Sequence, residues 1–117
     1  MKVKYTTANG RMTMEFEAGS HKAVWRELAS FEEVFEESLC GKCGSGNIRH
    51  VIRKAKDAKG KEYEYFELRC TDCRAKLPFG LLDDGSDNLF PKRRDEEGNY
   101  RGHNGWVKWN KEKQMEE

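Results

Sequence analysis

The stretch CGKCGSGN, Cys40 to Asn47, sets two thiols two residues apart in a glycine-rich turn. A pair of this kind serves as a redox dithiol or as half of a metal site, and the rest of the chain decides between them. A second pair, Cys70 and Cys73 in CTDC, follows Cys43 across 26 intervening residues. Between the pairs, Ile48 to Lys56 and Glu62 to Cys70 read as strands, with DAKGK (57–61) as the turn. A hairpin returns its two ends to one place, so this segment carries the second pair back to the first.

Four thiolates on two tight knuckles are the donor set of a closed tetrahedral zinc site. The sequence therefore predicts one structural zinc ion on Cys40, Cys43, Cys70 and Cys73. A thioredoxin-like dithiol needs a βαβ context and a single pair. Iron suits the same four-sulfur cage. Catalytic zinc requires an open coordination position, which four cysteines close. His50 and His103, the histidines nearest this region, read as surface or strand residues rather than ligands.

CGKCG resembles the knuckle of the zinc-ribbon family, in which the glycine after the second cysteine lets backbone amides turn toward sulfur. CTDCR departs from that pattern, with Arg74 where glycine is common, so the amide–sulfur bonding of this knuckle is left open. The resemblance spans about Cys40 to Phe79 and implies a fold and a metal rather than a function. The wider order of SFEEVFEE, the ribbon, LPFG, LFPKR and GWVKW is similar to small bacteriophage zinc-ribbon proteins. That resemblance implies a link to single-stranded DNA binding and recombination.

Composition agrees with a small stapled fold. Of 117 residues, 37% are charged and 36% hydrophobic, which limits the apolar surface available for burial. Net charge is +1, but its distribution is uneven. Residues 40–82 carry ten basic and five acidic groups, against five and seven in residues 1–39 and seven and nine in residues 83–117. A filled zinc–tetrathiolate centre, at about −2, lowers the excess in the middle block. No apolar run reaches the length of a membrane span, and the start, MKVKYTTANG, lacks a signal-peptide core. The expectation is a reduced, cytoplasmic protein with no membrane partner.

The N-terminus carries a second hairpin. Asn9-Gly10 suits a two-residue type I′ turn. That register sets Val3, Tyr5 and Thr7 opposite Phe16, Met14 and Met12 on one face, and Lys2 and Lys4 opposite Glu17 and Glu15 on the other. Ser20 is placed to cap a helix whose stripe is Val24, Leu28, Phe31 and Phe35, widened by Trp25 and Val34. Ser30 with Glu33 forms a further capping-box pattern, which predicts a break near Ser30. The acidic residues of the helix (Glu27, Glu32, Glu33, Glu36, Glu37) read as a solvated face. Ala75 to Phe79 reads as a short edge strand, with Pro78 holding it at the edge.

The overall expectation is an α+β chain. A β-hairpin and amphipathic helix (1–39) pack on a zinc-ribbon hairpin (40–82). An irregular basic and aromatic segment (83–110) packs on the ribbon, and a charged tail (111–117) frays or turns helical.

Function then moves from the thiols to the surface they hold. Strand alternation sets Tyr63, Tyr65 and Arg69 on one face, with Arg49 and Arg53 on the matching face of the first strand, and Phe66 and Leu68 toward the core. With Arg74, Lys76, Lys92, Arg93 and Arg94 these make the candidate nucleic-acid contacts: cations neutralise phosphates and rings stack on bases. Each has a plainer reading. Both tyrosines can pack against the helix, FPKRR is followed by the acidic DEE, and Trp106 and Trp109 can serve as core. GHNGW lacks the second histidine and ββα metal unit of an HNH-type nuclease, and the chain has no phosphate-binding glycine loop or nucleophile elbow. The expectation is a protein that is not an enzyme, takes no small-molecule substrate, and binds nucleic acid with single-stranded DNA favoured. The alternative is a protein-interaction module, for which the near-neutral charge and acidic helix face speak.

Overall fold

The computed structural model describes residues 1–116, which form two compact units, residues 1–38 and residues 39–116. The chain is α+β, with one α-helix and a series of antiparallel strands. Among the described residues, no helix is long and apolar enough to cross a membrane.

In the first unit, β1 (Lys2–Thr6) pairs with β2 (Thr13–Glu17) in the register the charges and apolar residues select: Val3 faces Phe16, Tyr5 faces Met14 and Lys4 faces Glu15. The turn differs from expectation. Gly10 donates to the carbonyl of Thr7, and of the turn residues only Gly10 has a positive φ, at 75°. A type I′ turn needs positive φ at both central residues. Here Asn9 stays on the ordinary side because its Oδ1 accepts from the Arg11 amide and the Thr7 hydroxyl, an arrangement that favours a wider four-residue loop. The strand register is the same for both turns, so the error is confined to the loop.

Helix α1 (His21–Phe35) begins at Ser20, whose Oγ accepts from the Ala23 amide. It runs unbroken through Ser30, so the second capping pattern is not used. Phe31 is its buried anchor, edge-on to Tyr5 with ring centroids 5.8 Å apart and against Phe35 at 5.0 Å. Trp25 does not widen the stripe; it is 77% exposed. Glu36 caps the helix end and does more than sit in solvent. Its carboxylate accepts from the Tyr5 hydroxyl at 2.6 Å and from the Ala8 amide, tying helix to hairpin. That bond holds the Tyr5 phenol up at about 12, chiefly because the carboxylate accepts the proton that ionisation would remove.

The second unit is built on a four-stranded sheet of β3 (Ile48–Lys56), β4 (Glu62–Cys70), β5 (Lys76–Leu81) and β6 (Leu89–Pro91), in that order. β3 and β4 form the predicted hairpin, with Ile48 opposite Cys70 and Arg53 opposite Tyr65. β5 is longer than expected and is not an edge, because β6 pairs along it from Phe79–Pro91 to Leu81–Leu89. Pro78 is tolerated there because its backbone points toward β6, not β4. Its carbonyl accepts from Lys92 just past the end of β6, where the missing donor costs the sheet little.

One face of this sheet is buried through Leu68, Cys70, Leu77 and Phe79. The segment after β6 covers it. Trp106 is 1% exposed, and Val107 exchanges both backbone bonds with Lys76. Residues 83–116 are thus more ordered than an irregular segment and tail. They hold β6, a tight turn at Gly102–Gly105, and a closing hairpin of β7 (Trp109–Asn110) and β8 (Met115–Glu116) where a frayed or helical end was expected.

Candidate metal centre and the exposed sheet face

The two knuckles adopt the same local structure. In the first, Cys40 N donates to Ser45 O and Gly44 N to Cys40 O; in the second, Cys70 N donates to Ala75 O and Arg74 N to Cys70 O. Gly44 has φ 76° and Arg74 φ 67°, so arginine takes the left-handed conformation that glycine holds in the first knuckle. This settles the bonding left open at Arg74. Sulfur accepts amides in both knuckles, from Lys42 (3.3 Å) and Cys43 (3.5 Å) at Cys40, and from Cys73 (3.4 Å) at Cys70. The cost of the non-glycine residue is about 1 kcal/mol of backbone strain.

The four sulfurs lie within 4.8 Å of one another. The closest contacts are Cys40–Cys73 at 3.6 Å and Cys43–Cys70 at 3.5 Å, and all four thiols are free. A disulfide needs about 2.05 Å. A tetrahedral ion with metal–sulfur bonds of about 2.3 Å sets its sulfurs about 3.8 Å apart. The cluster is therefore shaped for one metal ion.

Two of the thiols already differ in acidity. The Cys73 amide, followed by the Asp72 amide, draws the Cys70 thiol down to about 7 against the effect of burial. At Cys43 the Ser45 backbone works in the same direction, but burial and the neighbouring sulfurs outweigh it and hold the thiol up at about 12. Between the knuckles, Asp72 accepts from the Ser45 hydroxyl and from Asn47 Nδ2, and Thr71 donates to the Asn47 carbonyl. These bonds lower the Asp72 carboxyl, the Ser45 hydroxyl first. GSGN thus does more than turn the chain; it clamps one knuckle to the other.

The C-terminal segment closes the site from outside. A Cβ on Gly41 would lie 2.3 Å from the His103 carbonyl and 2.5 Å from Trp106 Cδ1, so only glycine admits the tryptophan over the first knuckle. His103 Nδ1 lies 3.2 Å from the Gly41 carbonyl. His103 and Asn104 both take positive φ, and Gly105, at φ 92°, passes close to Arg93 and Leu77. GHNGW is therefore a cover for the knuckle. The reading from sequence weighed Trp106 as core but had no signal for its contact with Gly41, because the two are far apart in the chain.

The other face of the sheet is open and carries most of the predicted binding residues. Tyr63 and Tyr65 are 40% and 41% exposed. Arg53 lies over the Tyr65 ring at 4.5 Å and Lys61 over Tyr63 at 5.3 Å. Arg49 stands opposite Arg69, and both are exposed. One group went unnoticed in the sequence: Glu67, whose side chain is only 2% exposed. Arg69 grips it with Nε at 3.0 Å and Nη2 at 2.7 Å, and Arg53 and Lys76 stand 3.8 Å from it. Lys76 also reaches Glu116, at 2.7 Å. Of the cations on this face, three share a buried carboxylate, and Arg49 adds to them.

The remaining candidates lie elsewhere. Lys92 is exposed beside Phe90, whose ring covers Gly80. Arg93 donates to the Asn104 carbonyl at 2.6 Å, and Arg94 stacks on Tyr100 at 4.2 Å while donating to its hydroxyl. These two arginines hold the C-terminal cover, which no local pattern in FPKRR announces. Arg74 is exposed at the second knuckle. A scan against protein-family models finds no match, and searches of curated proteins and of solved structures find none either.

Proposed function

We propose that the ion is zinc, that its role is structural, and that the chain is a non-enzymatic nucleic-acid-binding protein favouring single strands. The four-cysteine donor set suits zinc, and its closed tetrahedral cage leaves no position for substrate, which supports a structural role. The observation that carries the binding reading is the open sheet face. Two half-exposed tyrosines there stand among Arg49, Arg53 and Arg69, on a hairpin whose base carries the cysteines. Rings offer stacking to any base at roughly 1–3 kcal/mol each, and the arginines neutralise phosphates. On this reading Glu67 orients Arg53, Arg69 and Lys76 and moderates their charge. The similarity to bacteriophage zinc-ribbon proteins adds a setting in replication or recombination, inside the cell.

Titration of labelled single-stranded DNA at low and moderate salt is the test. Binding that weakens with salt is expected. No binding at micromolar protein in about 50 mM salt ends the reading, because phosphate contacts are strongest there.

A second reading is favoured by Trp25, which stands 77% exposed on α1, as ring anchors of protein interfaces do. A protein partner would then hold through that residue, and the complex would survive nuclease and fail on Trp25→Ala.

A further inference from the structure

A second basic and aromatic site lies apart from the tyrosine-bearing sheet face. Lys42 of the first knuckle, Lys108 and Lys111 meet Trp109, Asn110 and Glu112 around an open groove of about 510 Å³. Trp109 is 56% exposed, in contrast to the buried Trp106 three residues before it. The groove is built from both ends of the unit: the metal knuckle supplies Lys42, and the β7–β8 pairing holds the turn that carries Lys111 and Glu112.

These lysines differ from the cations gathered around Glu67 and from the two arginines of the C-terminal cover. Arg53, Arg69 and Lys76 share Glu67, and Arg93 and Arg94 are bonded within the C-terminal cover. Lys42, Lys108 and Lys111 form no ion pair among the described residues, and the lining of the groove holds three lysines and one glutamate. Asn110 is also oriented. Its Oδ1 accepts from the Glu112 and Lys113 amides, which leaves its Nδ2 donors for a ligand. Lys42 lies between Cys40 and Cys43, where a filled thiolate centre at about −2 offsets positive charge, so Lys108 and Lys111 carry the larger part of the field.

We infer that this groove is a nucleotide-unit site for a single-stranded nucleic acid, with Lys108, Lys111 and Lys42 on phosphate oxygens and the exposed indole of Trp109 stacked on a base. The inference rests on the nucleic-acid reading and adds a site to it. β8 joins the groove to the sheet face, since Glu116 pairs across from Trp109 and also contacts Lys76. A strand bound in the groove therefore leads toward the tyrosine face.

The test uses the zinc-loaded full chain carrying Trp25→Phe, so that Trp109 is the exposed indole. Titration with a short oligothymidylate should quench its emission. Lys108→Gln/Lys111→Gln should raise Kd by about 25-fold at about 0.1 M salt and lower the slope of log K against log salt by about 1.4, the contribution of two phosphates on a single strand. Binding by fluorescence anisotropy with no change in Trp109 emission overturns the inference without any groove substitution. So does a double variant with unaltered affinity and slope, metal content being unchanged. If such binding is instead lost in Arg53→Gln/Tyr65→Ala, the sheet face stands and the groove alone falls. No binding by the unsubstituted chain overturns both.

Discussion

Glu67→Gln separates stability from binding on the open sheet face. The substitution keeps the shape of a side chain that is 2% exposed and removes its charge. Two bonds from Arg69, at 3.0 and 2.7 Å, lose their charged acceptor, and the new amide NH₂ turns a donor toward three cations that are themselves donors. A hydrogen bond to a charged group contributes about 1.5–3 kcal/mol net. Arg53 and Arg69 are each 44% exposed and can return to water, so the lower part of that range applies, about 2 kcal/mol. For a unit of this size that is a fall in melting temperature of roughly 8–16 °C. The same change removes one negative charge from the face, so affinity for single-stranded DNA should rise while stability falls. A double-mutant cycle with Arg69→Gln isolates the pair, because Arg69→Gln leaves the buried Glu67 without its main partner while Glu67→Gln frees Arg69 to water. The expected coupling is about 1 kcal/mol or more, by denaturant titration of the metal-loaded protein. Additive losses, within about 0.3 kcal/mol, would refute the proposed organising role of Glu67.

Three further outcomes follow from the structure. Metal analysis should return one zinc per chain, and chelation should unfold residues 39–117, read by a red shift of the buried Trp106; emission that stays put after confirmed metal removal would contradict the staple role. Gly41→Ala should cost about 1–3 kcal/mol by forcing Trp106 off the knuckle, and Arg74→Gly should recover about 1 kcal/mol by relieving positive φ; equal melting temperatures for either variant and the parent would refute the corresponding contact or strain. In the first unit, the Tyr5 phenol is raised from 10.0 to about 12, so its bond to Glu36 stabilises fully below pH 10 and is lost as pH rises toward 12. Tyrosinate absorbance should therefore show a component near pH 12 that disappears in Tyr5→Phe, and a titration identical in the two proteins would refute the bond.

Much of the chain was legible because its signals are local. The two C-x2-C pairs and the hairpin between them placed all four sulfurs in one cluster, and β3 and β4 begin and end where the alternation says. The N-terminal register followed from apolar and charged pairs that satisfy both faces at once. Ser20 followed from its capping chemistry. Where expectation failed, distant residues had overridden a local preference. Ser30 offers a cap, but the continuous packing of α1 around Phe31 leaves it unused. Pro78 marks an edge only if nothing pairs outside it, and β6 arrives from a segment whose sequence looks like loop. FPKRR reads as a free basic cluster until Asn104 and Tyr100 take up its arginines.

The sequence by itself determined the metal-binding set, the two hairpins, the helix and the α+β class, because each depends on residues whose spacing or side-chain chemistry acts within one or two elements. Only the tertiary structure decided which cations are spent and which are free. It buried Glu67 beneath three of them, laid Trp106 over Gly41, and left Trp109 exposed among Lys42, Lys108 and Lys111. The physical reason is that charge and exposure are properties of neighbourhoods. A knuckle and a C-terminal turn more than sixty residues apart become neighbours only when the fold closes.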